Sequence, residues 1–436
     1  MLKKDANYYF IGIKGTGMAG LALVMHDLGY KVSGSDIEQH TFTQEPLLAA
    51  GIEVLPFAAK NIHAGLTIVK GNAFKEDHPE VKRALELNLK IMSYPDTLAE
   101  LLPQYTSIGV AGAHGKTSTT GLMAHVLGGV LPTSYLVGDG TGRGIANSRF
   151  FVYEADEYRR HFLAYHPDYM VMTNIDFDHP DYFKDIDDVT EAFQTAADQT
   201  RKGLFVWGDD ERLANLKTDI QKFTYGLKET DDYRAVNIKR DELGAQFDVL
   251  YHGDSLGRFT IRLFGEHNIM NSLAVIGVAH QEGLNMVDVA NELVSYQGTK
   301  RRFAETDYKD VVVIDDYAHH PTEMKATLQA ARQKFPDMKL VAIFQPHTYS
   351  RTKQFAAEFA EILRTADKAY VTPIFGSARE STGDISSEML VDQIGKDSEV
   401  IKLENISDLT ENKNSVMVFM GAGDIQKYET AYEKLL

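Results

Sequence analysis

Two short glycine-rich segments of the chain are built to hold phosphate. In YYFIGIKGTGMAGLALVMHDLGYKVSGSD (Tyr8 to Asp36), Gly15, Gly17 and Gly20 spell G-x-G-x-x-G, Thr16 and Met18 stand between them, and Ser35 and Asp36 end the next apolar run. A turn of this kind between a strand and a helix offers backbone amides and a helix N-terminus to a pyrophosphate, with the aspartate near a ribose. NAD carries that group, and so does a UDP-sugar. In VAGAHGKTSTT (Val110 to Thr120), the run Gly112, Ala113, His114, Gly115, Lys116, Thr117 and Ser118 forms a second loop. There the amides cradle phosphate, Lys116 reaches the transferring phosphoryl group and the Thr117 hydroxyl ligates Mg²⁺. A strict G-x-x-x-x-G-K-T would place glycine at Val110, whereas the nearest one is Gly109.

Acids for such a site stand nearby. Glu154, Asp156 and Glu157 come from YEADEY, and Asp176, Asp178 and His179 from NIDFDHPD. Mg²⁺ takes oxygen ligands, one or two carboxylates with phosphates and waters, which makes Glu154 a ligand candidate and His179 a less usual one. Three more polar clusters, GEHNIMN (Gly265 to Asn271), DDYAHHPTE (Asp315 to Glu323) and QPHTYSRT (Gln345 to Thr352), are costly to bury without partners. Exposed loops are the simplest place for them, and the last two follow apolar runs that read as strands.

The elements that must position these residues follow from apolar periodicity. YYFIGI, MAGLALVMHDLG, KVSGSD, TIVKGNA, VKRALELNL and KIMSYP alternate strand and helix, the rhythm of a parallel sheet with crossover helices. SIGVA, RFFVYEAD and DYMVMTNIDFD supply strands to a second unit. KFTYG, AVNIKR, AQFDVLYH and GRFTIRLFG then read as an antiparallel meander. A third unit repeats the α/β rhythm through DVVVIDDYA, TEMKATLQAARQKF, LVAIFQP, a long helix from Lys353 to Ala366, AYVTPIF and VMVFMGAGD. The predicted fold class is therefore α/β, in three consecutive domains: a Rossmann-like domain over 1–98, a P-loop ATPase-like central domain carrying the meander over 99–297, and a Rossmann-like domain over 298–436. That division suits a chain of 436 residues.

Composition removes several function classes. A formal charge of -17 argues against a nucleic-acid or anionic-membrane partner. The absence of cysteine excludes disulfides, thiolate metal sites and cysteine nucleophiles. No apolar run is long enough for a signal peptide or a membrane span, so a cytoplasmic enzyme, monomer or homodimer, is expected.

Taken in order, GIKGTGMAG, GSD, AGAHGKTSTT, EADEYRRHF, TNIDFDHPD, GEHNIMNSLA, GTKRRF, DDYAHHPTE, FQPHTYSRT and VFMGAGDI resemble the Mur ligase family over essentially the whole chain. The resemblance implies that the front domain binds the UDP part of UDP-N-acetylmuramic acid, through Gly15, Thr16, Gly17, Met18, Ser35 and Asp36. It implies that the central domain binds ATP through the Gly112 to Ser118 loop. L-alanine is then joined to the muramyl carboxylate through an acyl phosphate, releasing ADP and phosphate. Carried over by position, Thr117 and Glu154 hold Mg²⁺, with Mn²⁺ the alternative, and His179 holds a second ion. Asn268 and Asn271 meet the adenine region, Arg302 contacts ATP phosphates, and His320, His347 and Arg351 surround the acyl phosphate and the amino-acid carboxylate. Lys116, His179, His320 and Arg351 form the implied catalytic set. Ala113 stands where many members have threonine, Thr348 where many have arginine, and EYRRHF departs from the commoner EADESDASF pattern. Three rivals remain at this level: a recycling ligase that adds an intact tripeptide to the same sugar nucleotide, an NAD-dependent oxidoreductase suggested by the first glycines alone, and a nucleotide-gated binding protein with no turnover.

Overall fold

The computed structural model describes residues 1–179, 182–376, 380, 382–395 and 397–436. Compactness divides the chain into two units. The first comprises Met1–Asn237, Phe247–Phe259 and Met270–Tyr296; the second comprises Ile238–Gln246, Thr260–Ile269 and Gln297–Leu436.

The first unit opens with β1 (Asn7–Ile11), β2 (Lys31–Asp36), β3 (Glu53–Pro56), β4 (Leu66–Lys70) and β5 (Ile91–Ser93). They form a five-stranded sheet in the order β3-β2-β1-β4-β5, with each pair parallel. Tyr8 to Ile11 are all buried, the continuous apolar pattern of a strand covered on both faces. The helix Thr16–Asp27 returns from β1, and its residues Leu21, Val24 and Met25 belong to one core cluster with Leu136, Phe151 and Tyr153. Each such side chain, fully withdrawn from water, contributes about 1.5 to 3 kcal/mol. Gly20 makes that helix packing possible: a Cβ there would come within 2.6 Å of Leu136, and a Cβ on Gly142 within 2.4 Å of the Gly20 carbonyl oxygen.

The next sheet gathers β6 (Thr106–Ala111), β7 (Thr133–Leu136), β8 (Gly142–Arg143), β9 (Phe150–Glu154), β10 (Tyr169–Met172), β11 (Gly203–Trp207), β12 (Gln221–Gly226), β13 (Tyr233–Asp241), β14 (Gly244–Tyr251) and β15 (Asp254–Ile261). Its order is β15-β14-β13-β12-β11-β10-β6-β9-β7-β8. KFTYG, read from sequence as the start of the meander, instead belongs to the parallel part: β12 pairs in parallel with β11 and, through Tyr225 and Gly226, with β13. A short alternating run does not reveal strand direction, which tertiary pairing sets.

In the second unit β16 (Ala304–Asp307), β17 (Val311–Asp316), β18 (Lys339–Phe344), β19 (Lys368–Val371), β20 (Ser398–Val400) and β21 (Ser415–Met420) form a sheet ordered β16-β17-β21-β18-β19-β20. Only the β16–β17 pair is antiparallel among these described strands. Period-two alternation sorts its side chains into two cores. Val312, Ile314, Leu340, Phe344, Val416 and Val418 face one, and Val313, Ile343, Met417 and Phe419 the other. The single helix expected over Lys353 to Ala366 is two, Tyr349–Gln354 and Ala356–Leu363. They meet at Phe355, whose ring lies edge-on to His320 with centroids 4.7 Å apart.

Candidate active site

Strand register builds the site before any side chain does. Val110 of β6 stands opposite Glu154, the last residue of β9, and Ala111 opposite Met172, the last residue of β10. The loop after β6, the acids after β9 and the motif after β10 therefore emerge side by side at the C-terminal edge of one parallel sheet, where ligands of α/β sheets bind.

The loop after β6 is held by the residues that follow β10. Thr173 Oγ1 donates to the His114 carbonyl oxygen at 2.5 Å, and Asn174 Nδ2 donates to the same oxygen at 2.9 Å. In return the His114 amide donates to Asn174 Oδ1 at 2.9 Å, and the Ala113 amide to the Asn174 carbonyl oxygen at 3.2 Å. Gly112 has φ +144°, and a Cβ on it would lie 2.0 Å from Thr173 Oγ1, so only glycine fits. Gly115, in the left-handed region at φ 83°, caps the helix Lys116–Val130. The first intrahelical bond runs from the Thr119 amide to the Gly115 carbonyl, so the Lys116, Thr117 and Ser118 amides precede it and are the donors a helix start offers to an anion. The His114 ring lies 3.2 Å from Asp176.

Lys116 is deeply set. Its Nζ donates to the Gly112 carbonyl oxygen at 2.5 Å, to the Ala113 carbonyl oxygen at 3.2 Å and to Glu157, whose two oxygens lie 2.9 and 2.8 Å away. Burial alone would lower the lysine, yet Glu157 and then Asp156 and Glu154 raise it above its ordinary range, so it stays charged. Burial pushes the Glu157 carboxyl up to about 7 against the pull of Lys116. His179 Nε2 sits 3.8 Å from Glu157 and 3.8 Å from Asp178, and its ring packs on Tyr158 at 4.6 Å. Pro180 and Asp181, which close that motif, lie outside the described residues. Asn271 Oδ1 lies 3.7 Å from where a Gly115 Cβ would be, against the loop itself.

A cavity of about 470 Å³ opens in the first unit. Gly15, Thr16, Gly17, Met18 and Asp36 line one side, and Gly138, Glu154, Asp156, His161 and Tyr165 also line it. Glu154 Oε2 accepts the Gly138 amide at 2.9 Å. Asp36 is engaged in bracing the turn: its oxygens accept the Lys14 amide at 2.7 Å and the Ile37 amide at 2.8 Å. Ser35 does not reach the cavity with its side chain, because its hydroxyl donates to the buried Glu80 at 2.5 Å. Gly12, Asn72, Phe74 and Tyr94 complete much of the wall and were missed by motif reasoning. Their signal was weak, since Asn72 and Phe74 follow TIVKG without any recognised spacing.

The second unit collects its own polar residues at the C-terminal ends of β17 and β18. His320 caps the helix Pro321–Lys334 by accepting the Thr322 amide at 3.4 Å. Arg351, buried at 8% exposure, donates from Nη1 to the His347 carbonyl oxygen at 3.2 Å, and His347 lies 6.4 Å from His319 between ring centroids. Arg302 Nη1 donates to Glu323 at 3.4 Å and its guanidinium lies 5.4 Å from the Tyr317 ring. Burial pushes Asp316 up to about 6 while Arg302 opposes it. Asn268 donates to the Phe264 carbonyl oxygen at 2.8 Å. Arg351 and His347 are in contact, and His320 lies in the same unit with its ring against Phe355.

The model of the Mur ligase family, catalytic domain, matches residues 7–106, that of the Mur ligase middle domain residues 110–279, and that of the Mur ligase, glutamate ligase domain residues 301–425. UDP-N-acetylmuramate–L-alanine ligases of Lactobacillus gasseri and Lactobacillus johnsonii are each 67% identical over 438 residues, covering 100% of both chains. The crystal structure of the UDP-N-acetylmuramate-alanine ligase of Thermotoga maritima is similar with a TM-score of 0.83 at 28% identity, over 98% of each chain.

Proposed function

The chain belongs to the Mur ligase family, and from that premise we propose that it is the ATP-dependent ligase that joins L-alanine to the carboxylate of UDP-N-acetylmuramic acid, acting in the cytoplasm. The observation that carries the proposal is the full-length 67% identity to ligases of that name. The first unit adds physical support, because one cavity is lined both by the G-x-G-x-x-G turn and by Glu154 from the edge that carries the phosphate loop.

An unactivated carboxylate is a poor electrophile, and phosphorylation supplies its leaving group. The muramyl carboxylate oxygen attacks the γ-phosphorus of ATP, the bond to the β-phosphate oxygen breaks, and ADP departs. The amine of alanine, having lost a proton, then attacks the acyl carbon. A tetrahedral intermediate collapses with loss of phosphate to leave the amide. Negative charge gathers in both steps, and Lys116 with the Lys116, Thr117 and Ser118 amides neutralises it where it forms. Glu157 keeps Lys116 charged.

The oxygen donors that β6 and β9 bring to one sheet edge, a hydroxyl at Thr117 and a carboxylate at Glu154, are of the kind a hard divalent cation takes. We assign Thr117 and Glu154 to Mg²⁺ or Mn²⁺ and His179 to a second ion; when bound, such an ion offsets phosphate charge and orients the phosphate oxygens. Gly15, Thr16, Gly17 and Met18 are assigned to the UDP moiety, with Asp36 bracing their turn through the Lys14 and Ile37 amides. Gly112 to Ser118, Asn268, Asn271 and Arg302 are assigned to ATP. His320, His347 and Arg351 are assigned to the alanine carboxylate, for which a buried arginine is the suitable partner.

Phosphate release from ATP with UDP-N-acetylmuramic acid tests the function. Turnover is expected with L-alanine and not with L-Ala-γ-D-Glu-meso-diaminopimelate. Turnover with the peptide alone would make the enzyme a recycling ligase.

A further inference from the structure

The charge of the cavity in the first unit does not match its proposed ligand. Among the described residues that line it, Asp36, Glu154 and Asp156 carry carboxylates, none is lysine or arginine, and His161 is the side chain with a basic nitrogen. A sugar nucleotide brings a pyrophosphate and a carboxylate into this acidic space. The Thr16, Gly17 and Met18 amides at the helix start suit the pyrophosphate, which leaves the other end of the ligand to be read by side chains.

His161 is fixed for that task. Asn72, from the turn after β4, donates from Nδ2 to His161 Nε2 at 2.9 Å. Nε2 therefore accepts, and the proton of the neutral ring resides on Nδ1. Nδ1 faces Asp156 Oδ2 across 4.0 Å, too far for a hydrogen bond, while Asp156 Oδ1 accepts the Tyr158 amide at 3.1 Å. His161 and Asp156 follow β9, whose last residue stands opposite the strand of the phosphate loop. The part of the ligand that reaches this end is the part that bears the reacting carboxylate.

We infer that His161, oriented by Asn72, is a specificity-determining residue whose Nδ1–H donates a hydrogen bond to an acceptor oxygen on the carboxylate-bearing sugar of the nucleotide. The inference rests on the ligand proposed above. It assigns a role to a residue at which the chain departs from the commoner family pattern.

Kinetics and calorimetry on the full chain with UDP-N-acetylmuramic acid test it. His161→Phe is expected to raise KM and Kd for the sugar nucleotide by about 10- to 100-fold, the consequence of one lost donor to a charged or strongly polar group, with KM for ATP and L-alanine changed less than about twofold. His161→Gln, which restores a donor, is expected to recover to within about fivefold of the parent. Asn72→Leu is expected to raise Kd by about 3- to 10-fold, and the double variant to bind no more weakly than His161→Phe, because Asn72 acts through His161. A sugar-nucleotide Kd for His161→Phe within about twofold of the parent, or single effects that multiply in the double variant, would overturn the inference. Should His161→Phe fail to fold, a lowered melting temperature with unchanged Kd in Asn72→Leu identifies a purely structural tie and overturns it equally. Kd is read without turnover, so a parent protein that binds the sugar nucleotide but ligates nothing counts against the ligase reading alone.

Discussion

The two glycine loops of the first unit share one device and differ in what surrounds it. Gly12, directly after β1, has φ +82°, and Gly112, directly after β6, has φ +144°. A Cβ on Gly12 would lie 2.1 Å from the Phe74 ring, and one on Gly112 would lie 2.0 Å from Thr173 Oγ1. In both cases the intruding side chain comes from the segment after a neighbouring parallel strand, β4 or β10. The first loop meets an apolar wall and a roomy acidic cavity. The second is laced by Thr173 and Asn174 and carries a buried cation. Both glycine turns follow a parallel strand, and the residues after the adjacent strand make one a tightly laced loop and the other one wall of a wide pocket.

The sharpest way to break this comparison is to fill the glycines. Gly112→Ala is expected to lower ligation by about 10³-fold or more, since both the backbone conformation and the Thr173 hydroxyl reject a Cβ. Gly12→Ala should instead act mainly on sugar-nucleotide affinity, because the atoms it meets are the edge of the Phe74 ring; equal losses of ATP binding in both variants, measured by calorimetry, would erase the distinction. Next comes Lys116→Ala, expected to reduce kcat by about 10² to 10³, the usual loss for one transition-state donor, and near-normal turnover would remove the charge role.

Smaller effects test the latches. Thr173→Val removes the donor to the His114 carbonyl and is expected to raise KM for ATP by about tenfold, consistent with about 1 to 1.5 kcal/mol, while sugar-nucleotide KM stays level. The opposite split would mean that the latch serves the cavity. Least affected should be Asp36→Asn. Its carboxylate is already engaged by two amides, so a rise of about threefold in sugar-nucleotide KM is expected, whereas a direct ribose contact would cost about tenfold or more.

Much of this was legible in the chain alone. YYFI, SIGVA and VVVID read as buried parallel strands because apolar side chains recur without alternation, and GAHGKTS reads as a tight turn opening a helix through its glycines. Other features were not legible. Thr173 and Asn174 look like any polar pair after a strand, and Asn72 has no motif. The helix expected over Lys353 to Ala366 divides at Phe355, where packing against His320 is a tertiary matter. Ser35 sits inside a recognised motif, yet it turns to Glu80.

The sequence by itself determined the α/β rhythm, the two glycine turns and the polar clusters at strand ends, because periodicity, glycine and residue chemistry are local properties. Only the tertiary structure decided which strand neighbours which, and so which side chain presses on each glycine. It also decided that Glu157 would hold Lys116 and that Asn72 would orient His161. Those contacts join residues 41 and 89 positions apart: the order of strands within one sheet sets the first, and the packing of loops from two different sheets sets the second.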